Sequence, residues 1–262
     1  GAILLGQEII PAFGTTEDAS VIVSGTCGTN ATWTYNTKTG ALIISGTGAM
    51  ERYKSTQSKP WQKYEDEIKT IVINNGITKI DNYTFDSCSA LMYVSIPDSV
   101  TTIGNYVFRS CNNSRSVTIP EGVTSIGDEL FKNCKNLLNV EIGNKVSQIG
   151  ASAFYGCSSL TEVTIPDSVY YIYASAFENC ANLKSVTIGK NVTTIYDNAF
   201  NGCTALTDVY YVGTEEQWKE ISIDTTGNDA LGTATIHYNS TGSTGGTEHK
   251  HDYIVYTLDP TC

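Results

Sequence analysis

The chain has 262 residues, enough for one large or two small domains with a sizeable core, and it carries 27 acidic against 16 basic residues for a formal charge of −11. That balance excludes nucleic acid and anionic membrane as natural partners, because both require clustered Lys and Arg. No run approaches the ~18 to 20 apolar residues that span a bilayer, so direct membrane insertion of this segment is excluded as well.

Residues 1–20 form a lead segment. Its apolar start, AILLGQEIIPAF, is short and carries Gln7 and Glu8, so it reads either as what is left of an export segment or as an arbitrary margin of the chain. Residues 21–67 read as a β-rich N-terminal cap. Alternation in ATWTYN and ALIIS around the turn TKTG predicts a β-hairpin. The glycines of SGTGAM suggest a phosphate loop, but no Lys-Ser/Thr follows and a turn is the better reading.

Residues 68–212 repeat. Phe recurs at 85, 108, 131, 154, 177 and 200, and Cys at 88, 111, 134, 157, 180 and 203, always at a step of 23. The unit is L-x-x-V-x-I-x-x-x-V-x-x-I-x-x-x-A-F-x-x-C, as in LTEVTIPDSVYYIYASAFENCAN at 160–182. A β-branched pair two apart predicts a strand with both residues inward. The pairs run from Ile71/Ile73 through Val163/Ile165 to Val209/Tyr211, giving seven strands. Pro97, Pro120 and Pro166 lack an N–H and stop their strands. A second apolar pair, such as Val169 and Ile172, returns to the core. Phe177, Cys180 and Leu183, at i, i+3 and i+6, share one face of a short helical or 3₁₀ turn. One repeat cannot bury such faces alone, and stacking does so.

The run LTEVTIPDSV followed by I-x-x-x-AF-x-x-C resembles the leucine-rich repeat of BspA-type bacterial surface proteins, over roughly residues 68–212. The resemblance implies an α/β solenoid of stacked 23-residue repeats. The family pattern carries Gly after the second Ile, as at Gly104, Gly127 and Gly150, whereas Tyr173 and Tyr196 stand there in two repeats. The position therefore does not demand a positive φ. The segment before the repeats is similar to the module that precedes them in many such proteins, and residues 213–239 resemble the family's C-terminal closure.

That closure is predicted to contain a helix. Thr214 and Gln217 of GTEEQWKEI make a capping box, with Trp218 and Ile221 on the buried face. Glu215, Glu216 and Glu220 read as solvated acids favoured by the helix dipole, not as catalytic carboxylates. GNDALGTATIHYN then predicts a last strand holding His237. Residues 240–262 read as a flexible linker followed by the opening of a further, truncated module. His249 and His251 lack a third spaced ligand, so no metal is assigned, and no cofactor is expected.

Six cysteines in phase invite a disulfide or metal reading. Side chains at one repeat position run parallel in a ladder, at ~4.8 Å where strands stack, so their Cβ atoms do not converge as a disulfide requires. Parallel thiolates do not form a tetrahedron either. Buried packing behind Phe and Leu is the remaining account. Cys27 is expected inside the N-terminal cap and Cys262 to pair beyond this chain.

No Ser/His/Asp or Cys/His arrangement suggests catalysis, and Glu141 and Glu162 read as strand decoration, so no enzyme is expected. The outward strand column Val72, Ser95, Thr118, Glu141, Thr164, Thr187 and Tyr210 is mostly small and polar. Tyr170, Tyr171 and Tyr173, with Tyr196 one repeat on and Tyr155 just before, form the candidate binding residues. Equally, these rings could serve only to cover the edge of their own repeat. The resemblance implies a secreted or cell-surface module for adhesion or protein–protein interaction, with an extracellular protein or glycan as ligand. A carbohydrate-binding module using the Tyr faces and a passive spacer are the alternatives.

Overall fold

A computed structural model describes residues 22–55 and 57–241. The lead segment to residue 21, the His249/His251 pair and Cys262 lie outside the described residues.

The alternating stretch forms the predicted hairpin. Strands Ala31–Asn36 and Ala41–Gly46 are antiparallel, with Ile22–Thr26 added outside the first. Asn36 sets the turn, its side-chain oxygen accepting from the Lys38 and Thr39 N–H groups at 3.0 and 3.1 Å. Ala41–Gly46 then pairs parallel with Thr70–Ile73, the first repeat strand. The antiparallel sheet thus covers an edge that would otherwise leave the repeats' backbone unpaired.

All seven repeat strands are present, ending at Asp208–Tyr211, and Thr235–His237 adds the expected last one. From Glu162–Ile165 onward the register advances by 23 residues, Val163 opposite Val186 and Val186 opposite Val209. The return pairs form a second parallel ladder in which Ile149, Ile172 and Ile195 align and are buried. The third side of each coil is the Ala-Phe-x-x-Cys run.

The α/β designation needs correcting there: this is a β-solenoid. The Ala-Phe-x-x-Cys run is a chain of tight turns, with Cys88 N–H donating to the Phe85 carbonyl and Leu91 N–H to the Cys88 carbonyl. Among the described residues α-helix is confined to Glu215–Lys219 and Asp229–Thr233. Successive i→i+3 turns place Phe, Cys and Leu on one side as a helix would, so eight residues of periodicity do not separate the two. The Thr214–Gln217 capping box is formed in both directions, at 2.9 and 3.2 Å. Trp218 meets Tyr211 edge-on at 5.3 Å.

Adjacent coils are joined at these turns. Phe108, Phe131, Phe154 and Phe177 each donate their N–H one coil onward, to the carbonyls of Leu130, Ala153, Ala176 and Ala199 at 2.7–3.0 Å. Their rings stack at 5.1–5.6 Å from Phe85 to Phe200. Trp61 extends the stack on the N-terminal side at 5.6 Å and donates its indole N–H to the Thr84 carbonyl. At the other end no further repeat supplies a carbonyl, and the buried Asn228 side chain accepts from Phe200 N–H at 3.0 Å.

The seven cysteines among the described residues are free thiols buried in the core, and five of them also act as donors. Cys111, Cys134, Cys157, Cys180 and Cys203 each direct Sγ at the Phe carbonyl 26 residues earlier, at 3.1–3.4 Å. Burial pushes the thiols of Cys88, Cys134 and Cys203 up to about 12. It holds Cys111, Cys157 and Cys180 well above the ordinary thiol value. Cys27 is buried beside Glu51, again at about 12. In a Cys262→Ser background at pH 8, a disulfide reagent should therefore find no fast-reacting thiol in the native protein and seven after denaturation. Fewer than seven on denaturation would mean cross-linked cysteines and would contradict this structure.

Candidate functional site

The five candidate tyrosines separate into a group of four and one apart. Tyr170, Tyr171 and Tyr173 lie on or beside the return strand Tyr171–Ile172, whose Ile172 is anchored in the core. Both neighbouring coils hold this backbone. Tyr170 N–H donates to Ser147 at 2.8 Å, Tyr173 N–H to Ile149 at 3.0 Å and Tyr196 N–H to Ile172 at 2.9 Å. The rings are in sequence: Tyr170–Tyr171 at 6.4 Å, Tyr171–Tyr173 at 6.1 Å and Tyr173–Tyr196 at 5.0 Å. Tyr155 sits on the turn side, where its hydroxyl accepts from Asn179 Nδ2 at 3.1 Å and Lys132 Nζ lies 5.2 Å from its ring centre. No ring contact joins it to the other four among the described residues.

The orientation of the rings limits what they can bind. Tyr173 and Tyr196 lie parallel within 10°, so each covers one face of the other. Tyr170 and Tyr171 are 46 % and 41 % exposed but tilted by 48°, so they do not form a flat platform. The group holds four rings at differing tilts on a fixed backbone.

Why Tyr is tolerated here follows from the preceding repeats. The side-chain oxygens of Asn82 and Asn105 each reach one coil onward, to the N–H groups of Asn105 and Asp128, at 2.9 Å. In doing so they occupy the space of a Cβ at Gly104 and Gly127; at Gly127 the distance would be 2.6 Å. Gly150 is crowded instead by the Gly127 backbone. None of these three glycines has a positive φ, so close approach is what selects them. The Asn column becomes Ala at 151 and 174, and one coil beyond each Ala stands a tyrosine, Tyr173 or Tyr196.

The sequence reading missed a second aromatic group. Tyr83 and Tyr106 stack at 4.5 Å and 4°. Arg109 flanks both, its guanidinium carbon 5.6 and 5.3 Å from their centres. Arg109 also makes a two-pronged pair with Asp86 at 2.9 Å, and Glu129 links it onward to Lys132. The signal was available as Tyr two residues before Phe in successive repeats, and as an Asp and an Arg 23 apart. His237 likewise has a partner that sequence did not supply, Asp208 at 2.7 Å, and it stacks on Tyr210 at 4.7 Å. The Thr207 hydroxyl and then His237 hold the Asp208 carboxyl below its usual range.

The family model for the BspA type leucine rich repeat region matches residues 61–154 and 124–239, in six copies. The chain belongs to this family. The matched span extends beyond 68–212 to take in Trp61 at one end and Asn228 at the other. Among solved structures, a leucine rich repeat protein of T. pallidum is 22 % identical with a TM-score of 0.53, over 72 % of this chain and 89 % of that one. A leucine-rich repeat protein from Bacteroides ovatus is 19 % identical with a TM-score of 0.49, over 80 % and 70 %. One from Eubacterium ventriosum is 21 % identical with a TM-score of 0.40, over 72 % of each chain. The T. pallidum likeness supports the solenoid fold of this BspA-type chain. No curated protein matches it.

The Ala/Tyr coupling can be tested by a double-mutant cycle. Ala151→Asn should destabilise the chain by on the order of 1–3 kcal/mol through overpacking against Tyr173, and Tyr173→Gly in that background should recover most of it. Additive effects in denaturant unfolding would remove the coupling.

Proposed function

We propose that this BspA-type repeat is a protein-recognition module, displayed on or released from a cell, that uses Tyr170, Tyr171, Tyr173 and Tyr196 as its contact face. In this reading Tyr155 stands at the margin, and residues 21–67 and 213–239 act as caps around the 68–212 repeats. The observation that carries the proposal is the run of four contacting tyrosines on a return ladder where other repeats place Thr, Ser, Gln or Gly. A Tyr side chain has few rotatable bonds, and here its backbone is bonded to both neighbouring coils, so little ordering entropy remains to be lost on association. Rings at differing tilts, each with a polar tip, suit a protein surface of mixed polarity. Sugar stacking needs a flat, open platform, and here the Tyr173–Tyr196 stack covers one face of each ring while the 48° tilt between Tyr170 and Tyr171 breaks the plane. A passive spacer gains nothing from three exposed aromatic rings in one patch.

Screening the folded chain against extracellular proteins and a glycan array, beside a Tyr170→Ala/Tyr171→Ala/Tyr173→Ala variant, tests the assignment. The expected result is a protein ligand whose affinity falls by about tenfold or more in the variant. Protein binding that survives the triple substitution, or a Tyr-dependent response to glycans alone, would reject it.

A further inference from the structure

One junction between coils is built unlike the others. The strand ladder that starts in the N-terminal sheet ends at Tyr93–Ser95, and the next strand, Ser116–Thr118, pairs only with Asn139–Glu141 beyond it. The return ladder stops at the same place: Thr102–Ile103 pairs back to Ile77–Ile80, and pairing resumes with Ile126 opposite Ile149. Bonds beside the ladders follow suit. Thr101 N–H donates to the Thr78 carbonyl at 2.9 Å, Ser147 to Thr124 at 2.8 Å and Tyr170 to Ser147 at 2.8 Å, but Thr124 N–H reaches no backbone carbonyl of the coil before it. The same holds for Arg115 and Gly127, although Met92, Leu138, Gly104 and Gly150 at those repeat positions all make the bond, at 2.8–2.9 Å. Every other pair of neighbouring coils among the described residues is joined on the strand side, the return side or both.

The core changes at the same junction. Leu91, Leu137, Leu160, Leu183 and Leu206 fill one inward column, and Ser114 takes the place between the first two. Ser114 is buried, so a short polar side chain sits where the neighbouring coils stack isobutyl groups, and packing across the junction is weakened. The turn side, by contrast, is fully made. The Tyr106, Phe108 and Ser110 N–H groups donate to the carbonyls of Asp128, Leu130 and Lys132 at 2.9, 3.0 and 2.7 Å. Phe108 stacks on Phe131 at 5.5 Å, and Arg109 pairs with Glu129 at 3.6 Å. The remaining sides touch without being bonded: a Cβ on Gly122 would lie 3.2 Å from the Asp98 and Val100 carbonyls.

We propose that this junction is a hinge, with the turn side as its pin and residues 22–111 and 114–240 as its two leaves. Rotation about the pin separates the strand and return sides without breaking a ladder bond, whereas the same motion at any other junction breaks such bonds. Few cross-coil bonds and a thinned core are the features that let one junction open well before the whole structure unfolds. The exposed Met92 and Tyr93 lie on the last coil of the first leaf and the exposed Arg115 on the first coil of the second, so the angle sets how far apart they are presented. The N-terminal sheet belongs to one leaf and the Tyr170 group to the other. A partner that grips both leaves therefore selects one angle, and a partner that grips the Tyr170 group alone leaves it free.

Residual dipolar couplings of the isotope-labelled full chain test this, because they report the orientation and the motional averaging of each leaf. Fitted separately, residues 22–111 and 114–240 should give alignment tensors whose magnitudes differ by about a fifth or more. Dividing 114–240 at residue 180 should give two matching tensors, since that junction is bonded on the strand, return and turn sides. Ser114→Leu restores the inward column and should shrink the difference between the leaves by about half or more. The wild-type comparison decides the matter whether or not that variant folds. A single tensor for the whole wild-type chain, an equal difference across residue 180, or a folded Ser114→Leu whose leaves differ as much as before would overturn the hinge.

Discussion

Each coil leaves its Phe with an amide that only the next coil can satisfy, and the rest of the molecule is arranged around that need. The Phe N–H goes forward to a backbone carbonyl, and the Phe carbonyl, which already accepts the Cys N–H of its own coil, also accepts the thiol of the next coil's Cys. Buried backbone groups left unpaired cost ~1–3 kcal/mol each, so the spacing of 23 is enforced once per coil. Cys suits the rung because it fills the space of a small apolar side chain and still donates weakly, while its burial carries little of the cost of a hydroxyl. Stacked Phe rings at 5.1–5.6 Å fix the pitch on this side of the coil.

The same constraint explains the ends. A repeat array has no internal reason to stop, so its terminal coils need substitutes for absent neighbours. Trp61 supplies a ring and a donor at the start, and Asn228 supplies an acceptor at the finish. Asn228 also spends its amide hydrogens on the Tyr196 and Asp224 carbonyls, at 2.9 and 2.7 Å, so it ties the last coil to the segment that covers it. With the rungs closed, outward columns are free to vary, and the two aromatic groups occupy such columns. The Tyr170 group further depends on the Ala residues at 151 and 174 that free its space.

Much of this was legible because repetition turns long-range contacts into sequence intervals. The Phe and Cys columns, the V-x-I pairs and the Thr214–Gln217 cap were all readable from one chain. The label α/β failed because i, i+3, i+6 spacing fits consecutive tight turns as well as a helix. The Asn82–Asn105–Asp128 ladder was hidden because a side-chain acceptor for a backbone N–H one coil away leaves no apolar pattern. Tyr155 was grouped with Tyr170 by proximity in sequence, but the coil turns a corner between them and places them on different sides. Arg109 with Asp86 and Tyr83 is hard to read because the ion pair and the ring stack span only two repeats and so make no column that recurs along the chain.

The central claim is that Phe amides are held from one coil to the next and that Asn228 closes the series. Amide hydrogen exchange in the wild type and in Asn228→Ala measures this directly. The account predicts that Phe200 loses about tenfold or more of its protection in the variant, while Phe85 and Phe108 keep theirs. Unchanged protection at Phe200, or uniform loss along the whole stack, would contradict it.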